Sequence, residues 1–423
     1  MRNEPGSGPV PQQRIPFAAL RHRDFRLYYI GLVASGFGTM FTQFATSWQM
    51  YEMTGSALQL GLLGLTRFVP TVILLLVGGL LADAVDRRKL MMFTQAGQCV
   101  VSATLMTLSI SGQLSPGVFY VAALIFAVCG ALENPARQAI VPNMVPADVL
   151  TNALALNATQ RSASSIAGPA LAGIVFGWLG PTANYAVDTI SWVVMIGALL
   201  MIRPISHARA GRRAMSFKSL GEGFQYVWSH PILMAMMGLD FSQNLLGGVR
   251  TLLPVFAMDV LHIGPQETGF LQSATPIATI TTASLMSALP QVRRAGIGVM
   301  IGVSIFALST CAFAFNHNLI IAAICLAGQG IGDTVSHVFR QTILQLNIDD
   351  QIRGRVTSLN MVFTNGGPSL GQLRAGSFAQ WLGPEMAVFT GGLGILAVIL
   401  FVAAAVPMVR RFEIHQGEAV LVH

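Results

Sequence analysis

Charge is what this chain has least of. Only 10% of its 423 residues are Asp, Glu, Lys or Arg, where soluble domains hold roughly 25%, so an ordinary water-soluble fold is excluded. Polar alternation is missing as well. Runs such as Thr71 to Leu81 and Gly391 to Val406 carry no period of two, whereas strands of a transmembrane barrel alternate over roughly 10 residues. The four cysteines, Cys99, Cys129, Cys311 and Cys325, sit inside apolar blocks at no metal-ligand or paired spacing, which argues against a zinc site or a disulfide framework. The eight histidines are scattered, and neither a phosphate-binding loop nor a convergent nucleophile, acid and base is visible. No metal, no cofactor and no enzymatic activity are therefore expected. The net charge of +7 comes in short clusters between apolar blocks, so nucleic acid is not an expected partner.

What fills the chain is 53% hydrophobic residues, gathered into blocks of about 20, the length a helix needs to cross the hydrocarbon core. These predict helices near 26–50, 57–82, 89–111, 118–140, 152–177, 183–203, 231–257, 266–289, 296–315, 318–343, 355–380 and 385–409. The first block is too long for a removable signal peptide and has no small-residue cleavage site, so the N-terminal segment is expected to stay. Lys and Arg are retained on the cytoplasmic side of a bilayer. Here they fall in alternate loops: Arg21, Arg23 and Arg26; Arg87, Arg88 and Lys89; Arg137; Arg203 to Lys218; Arg293 and Arg294; Arg340, Arg353 and Arg355; Arg410 and Arg411. The intervening loops have none, which predicts an even number of crossings, about twelve, with both chain ends in the cytoplasm. The fifth helix carries Asn152, Asn157, Gln160 and Arg161; hydropathy alone would miss it, and the alternation requires it.

Self-similarity divides these helices in two. Arg137, Gln138 and Ile140 recur as Arg340, Gln341 and Ile343; Gly168 and Pro169 recur as Gly367 and Pro368; Leu179, Gly180 and Pro181 recur as Leu382, Gly383 and Pro384. Parallel halves with the substrate path between them are a known transporter plan. The expected organisation is an N-terminal tail over 1–24, a six-helix bundle over 25–204, a cytoplasmic linker with an amphipathic segment over 205–229, a second six-helix bundle over 230–411 and a tail over 412–423. The fold class is thus an all-α membrane protein, twelve transmembrane helices in two pseudo-symmetric bundles.

At the basic end of the second helix runs Gly78 Gly79 Leu80 Leu81 Ala82 Asp83 Ala84 Val85 Asp86 Arg87 Arg88 Lys89. It resembles the loop signature of the major facilitator superfamily, with departures at Ala84 and Asp86. Gly79 permits close helix approach, and the Asp83 carboxylate can meet a basic side chain or a helix N-terminus. With Arg87 and Arg88 it is expected to form a gating latch, asymmetric because the matching loop, Pro290 to Arg294, has no aspartate. Ser164 to Gly173 resembles the Gly-Pro motif of the superfamily's antiporters. Its Gly168, Pro169 and Gly173, with Gly367 and Pro368 in the other half, are expected helix-packing positions. Leu20 to Arg26, Thr54 to Ala57, Asn134 to Ala139 and Ala186 to Ser191 resemble the proton-driven exporter branch that includes enterobactin and macrolide efflux proteins, along essentially the whole chain. The resemblance implies export of an amphipathic compound in exchange for protons, at the inner membrane, by a monomer. The fourth helix has Phe126, Ala127 and Val128 in place of the mid-helix arginine of the better-known drug antiporters, so a mechanism built on that arginine does not carry over. Proton-coupled uptake is the alternative within transport; a lipid scramblase or membrane enzyme is the alternative outside it.

Ionisable side chains are costly inside a bilayer and are functional candidates by default. At about 1.5 Å per residue, Arg67 and Asp240 stand near the midplane, one in each half, where they could pair across the path. Asp188 falls in the outer half of the sixth helix, Asp333 in the inner half of the tenth, and Arg250 and Arg374 near outer ends. A proton carrier needs an acid whose affinity matches the working pH, which burial beside a cavity supplies; Asp240 is the first candidate, Asp188 and Asp333 its rivals. Glu133 and Arg137, four apart, suit an ion pair. Ser35, Thr39, Thr42, Thr46 and Gln49, with Gln43 beside them, mark a polar face on the first helix; Asp240, Gln243, Asn244, Gly247 and Arg250 mark one on the seventh. Polar faces toward lipid are expensive, so both are expected to line the pathway.

Overall fold

The computed structural model describes residues 17–84, 86–203, 217–288, 294–348, 352–415 and 418–421, with the side chains of 75–84 among those outside the description. Six long helices form the first bundle: α1 Arg23–Thr54, α2 Ala57–Ala84, α3 Arg87–Ile110, α4 Pro116–Ile140, α5 Leu150–Leu179 and α6 Pro181–Met201. The amphipathic segment folds as α7, Phe217–Ser229. The second bundle contains α8 Pro231–Gly247, α9 Val249–Val255 with a π turn over Phe256–Val260, α10 Pro265–Ala288, α11 Ala295–Ala314, α12 Leu319–Leu346, α13 Arg353–Leu382 and α14 Pro384–Ala405. A short α15, Pro407–Arg410, leads to β1 Phe412–His415 and β2 Glu418–Leu421, an antiparallel hairpin in the tail.

With α8, α9 and the π turn taken as one broken segment, the described residues form twelve long helical segments. Eight of these are apolar enough to cross a membrane by length and composition. The α5 segment is among them: the apolar stretch from Ile166 onward outweighs its polar first turns. Hydropathy therefore does not miss the fifth helix. The segments that fall short, α1, α3, α10 and α13, are the ones loaded with Thr, Ser, Gln and Asn.

The repeated Leu-Gly-Pro turns are built alike. Gly180 and Gly383 end α5 and α13 at φ of 79° and 86°, a region open to glycine at no steric cost. Pro181 and Pro384 then start the next helices at their first position, where the missing N–H costs nothing. The seventh crossing has no counterpart in the first half: α8 stops at Gly247, Gly248 adopts a left-handed φ of 36°, and α9 resumes at Val249.

Within the first bundle α1 packs on α5 and α6, and α3 and α2 pack on α4; within the second, α11 packs on α12 and α14, and α13 on α8. The bundles meet along α2 with α13 and α5 with α10. Glycine makes these seams possible. A Cβ on Gly173 would stand 3.0 Å from the Gly269 Cα, and one on Gly376 would stand 2.9 Å from the Gly61 Cα, so neither position can hold a side chain without parting the backbones. Both seams lie toward the end opposite the basic loops. There one hydrophobic core runs through both halves, with Phe44, Trp48 and Phe176 from the first joined to Leu252, Phe256 and Phe313 from the second. At the basic end the core forks into separate clusters, Phe25, Tyr28 and Met195 in one bundle, Leu233, Met236 and Val299 in the other.

Candidate functional site

In the first bundle, below the shared core, lies a cavity of about 360 Å³, to which Thr39, Thr42, Gln43, Thr46, Arg67 and Asp188 contribute. The helical spacing of the α1 threonines puts them on one face, and the sequence-predicted Thr39, Gln43, Arg67 and Asp188 come together here. Asp188 is fully buried on α6. It accepts hydrogen bonds from the Thr42 hydroxyl at 2.7 Å and the Ser102 hydroxyl at 2.5 Å. Its Oδ1 has no hydrogen-bond partner at normal geometry among the described residues. Deeper toward the basic end Glu133 is 3% exposed. Its carboxylate takes Arg137 as an ion pair along one helix, with Gln95 donating at 3.0 Å and Gln98 at 3.4 Å.

The second bundle holds its charge differently. Asp240 on α8 pairs with Arg340 on α12 at 2.7 Å, with side-chain exposures of 15% and 3%. Thr364 of α13 donates to the other Asp240 oxygen at 3.3 Å. Gln243, one turn along α8, accepts from Arg340 and from Ser336 at 3.1 Å, while Asn244 turns its amide to the Asp240 carbonyl at 2.9 Å. The carboxylate therefore finds its cation inside its own bundle and not across the path at Arg67. The reason is reach: the Arg340 side chain crosses directly from α12 to α8. Arg340 reads in the sequence as a loop charge, yet it is buried six residues inside the end of α12. The signal that could have found it is the repeat, which sets Arg340 opposite Arg137. Asp333 and Arg250 are exposed on α12 and α9, and neither makes an ion pair among the described residues.

Arg374 was expected near an outer end, and its function there is local. Its guanidinium donates to the Leu246 carbonyl at 2.9 Å and the Thr390 hydroxyl at 3.2 Å, and lies 4.9 Å from the Phe378 ring centroid. The break at Gly248 frees α8 carbonyls in an apolar setting, and a freed carbonyl there needs a donor. At the same end the bundles are tied by polar contacts that sequence reasoning missed. The Tyr51 hydroxyl donates to Asp259, and Ser56 donates to Gln380 at 2.9 Å.

Of the expected latch, Gly79 and Asp83 lie on α2 with side chains outside the described residues. Arg87 donates to the Ala139 carbonyl at 3.3 Å, and Arg88 to the carbonyls of Leu199 and Leu200 at 2.8 and 3.0 Å. Both arginines thus satisfy helix C-termini of their own bundle, where carbonyls and dipole favour a cation. Of the packing motif, Gly168 rests on Met40 of α1 and Gly367 on Asn244 of α8, while Gly173 makes the seam to α10; Pro169 and Pro368 lie inside α5 and α13.

The family model described as transmembrane secretion effector matches residues 14–419. The enterobactin exporter EntS of Shigella boydii serotype 18 is 24% identical over 93% of this chain and 94% of its own length. That of Citrobacter koseri gives the same figures. Among solved structures the nucleoside transporter NupG superposes with a TM-score of 0.72 at 11% identity, covering 91% of this chain and 98% of that one. A bacterial homologue of the iron transporter ferroportin, in its inward-facing state, superposes at 0.71 with 15% identity, covering 90% and 98%. At such identities these likenesses show the fold alone.

Proposed function

Because the chain belongs to the transmembrane secretion effector family of major facilitator transporters, we propose that it is a proton-coupled exporter of amphipathic small molecules, of the siderophore or drug type, working by alternating access in the inner membrane. The observation that carries this is the forked core: one apolar cluster joins the bundles at the end opposite the basic loops, and two separate clusters leave the basic end divided. With the basic end in the cytoplasm, as the loop charges favour, this is an inward-facing state. Rocking about the cavity would close the basic end and part the Gly173 and Gly376 seams.

Asp240 is the proton carrier in this scheme. In the inward-facing state it has released its proton and holds Arg340; once rocking has opened the far side, a proton arriving from outside neutralises it, frees Arg340 and lets α8 and α12 shift back. Asp188 is the rival, since it lines the cavity with hydroxyls for partners and no cation. The Gly79 to Arg88 loop would hold the cytoplasmic side shut in the opposite state, with Asp83 as its charged element. The relatives' cargo, together with a cavity that is part hydroxyl and part apolar, favours a bulky amphiphile. The test is accumulation: cells expressing the protein should retain less of an exported siderophore or dye than cells without the gene. Greater retention would contradict export and favour uptake symport.

A further inference from the structure

Not every ionisable side chain inside the helices has an ion-pair partner. Glu133 has Arg137, Asp240 has Arg340, and Arg374 has the Leu246 carbonyl and Thr390. Arg67 has no carboxylate at ion-pair distance among the described residues, whereas Arg250 is exposed and has Asp333 as an acid acting on it from α12. A cation left without a countercharge in a bilayer-embedded site costs several kcal/mol, so its retention calls for an anion that comes and goes. The acids at the cavity do not supply one to a ligand either: Asp188 is 0% exposed behind its hydroxyl donors, and Glu133 is 3% exposed against Arg137. Besides Asp188 and the Glu133–Arg137 pair, which already have partners, the cavity wall holds Arg67, the α1 hydroxyls and the apolar face at Phe126 and Ala127.

Arg250 belongs to the same level. Counted from Ala57 on α2 and from Val260 at the end of the π turn, Arg67 and Arg250 each stand about 15 Å in from the far end, and α2 and α9 touch. One cation comes from each bundle, Arg67 on the cavity wall and Arg250 on α9 beside Val249, Leu252 and Leu253 of the shared core.

Building on the exporter reading, we propose that this site binds an amphiphile with an anionic head, a carboxylate, sulfonate or ionised phenol, held by Arg67 with Arg250 facing it from the other bundle, and with its apolar body against Phe126. A guanidinium pair suits planar oxyanions through forked, charge-assisted hydrogen bonds. The anion supplies the missing countercharge and bridges the halves that must move.

The test is equilibrium binding by the full chain in nanodiscs of three probes sharing one ring: 1-naphthylacetate, 1-naphthylacetamide and 1-naphthylethylammonium. The carboxylate should bind about tenfold tighter than the amide, the gain expected of a charged hydrogen bond over a neutral one, and the ammonium weakest. Arg67→Gln should shrink that gap to about threefold or less, and Arg67→Lys should restore part of it, since lysine keeps the charge but loses the fork. Arg250→Gln should narrow it less. Equal binding of amide or ammonium by the native protein, no binding of the carboxylate, or an unchanged gap in Arg67→Gln would each overturn the proposal. Nanodiscs of phosphatidylcholine alone and with phosphatidylglycerol separate substrate from lipid. Displacement of the acid by the anionic lipid would assign the site to a headgroup and overturn it as a substrate site. Binding is blind to direction, so an importer would still give the expected order, and loss of the acid preference would leave export standing.

Discussion

The two bundles place an arginine at the same point of the repeat, half-buried Arg137 and buried Arg340, and give it a partner in two different ways. In the first bundle the carboxylate is Glu133, on the same helix and one turn away. In the second it is Asp240, on another helix, with Gln243 and Thr364 drawn into the network. The ion pair within one helix travels with that helix, and only the neutral amides of Gln95 and Gln98 tie Glu133 to α3. A pair between α8 and α12 fixes one against the other, so changing its charge changes how the bundle packs. Under the proposed proton coupling, that asymmetry assigns the moving part to the second bundle.

Arg340→Gln is the strongest way to break this comparison. Leaving the partly buried Asp240 without its cation should destabilise the protein by ~2–3 kcal/mol, toward the low end for a broken buried pair, read as equilibrium unfolding in mixed micelles. Glu133→Gln, with half-buried Arg137 and two glutamines left to adjust, should cost only about 1 kcal/mol. Equal costs would erase the distinction. The swap Asp240→Arg with Arg340→Asp should recover more than half of the single-variant loss, since a pair between the same helices is restored; no recovery would mean that the surrounding Gln243 and Thr364 dictate which sign sits where.

At the seam, Gly376→Leu drives a side chain into the Gly61 backbone only while the far end is closed. An overpacking cost of about 1–3 kcal/mol borne by one state shifts the population toward the other by about 5- to 150-fold. A Gln43→Cys reporter should then become accessible to an impermeant thiol reagent from the far side; no change in labelling would show that the seam does not set the state. The smallest effect is expected at Ser56→Ala, which removes an exposed hydrogen bond to Gln380. It should alter stability by about 0.5–1 kcal/mol and leave the reporter's labelling nearly unchanged.

How far the sequence could be read follows the same division. Features set locally were legible: the Leu-Gly-Pro turns, the threonine face of α1, and the placing of Asp240 and Asp188 inside helices. Features set by which helix faces which were not. Arg340 looked like a loop charge because a basic residue within two turns of a helix end also serves orientation, and hydropathy cannot place a helix end that closely. Its pairing with Asp240 depends on the α8 to α12 contact, over a separation of 100 residues. The break at Gly248 hid among 43 glycines, most of which only thin a helix for packing. Tyr51 and Asp259 meet at helix ends where tyrosine and aspartate are common and carry no pattern.

The most direct measurement is proton-driven transport by Asp240→Asn in proteoliposomes with an imposed pH gradient, alongside substrate exchange without one. The expected result is loss of the gradient-driven component with exchange retained, since the path would stay open while its proton carrier is gone. Gradient-driven transport undiminished in Asp240→Asn would contradict the assignment and pass the role to Asp188 or Asp333.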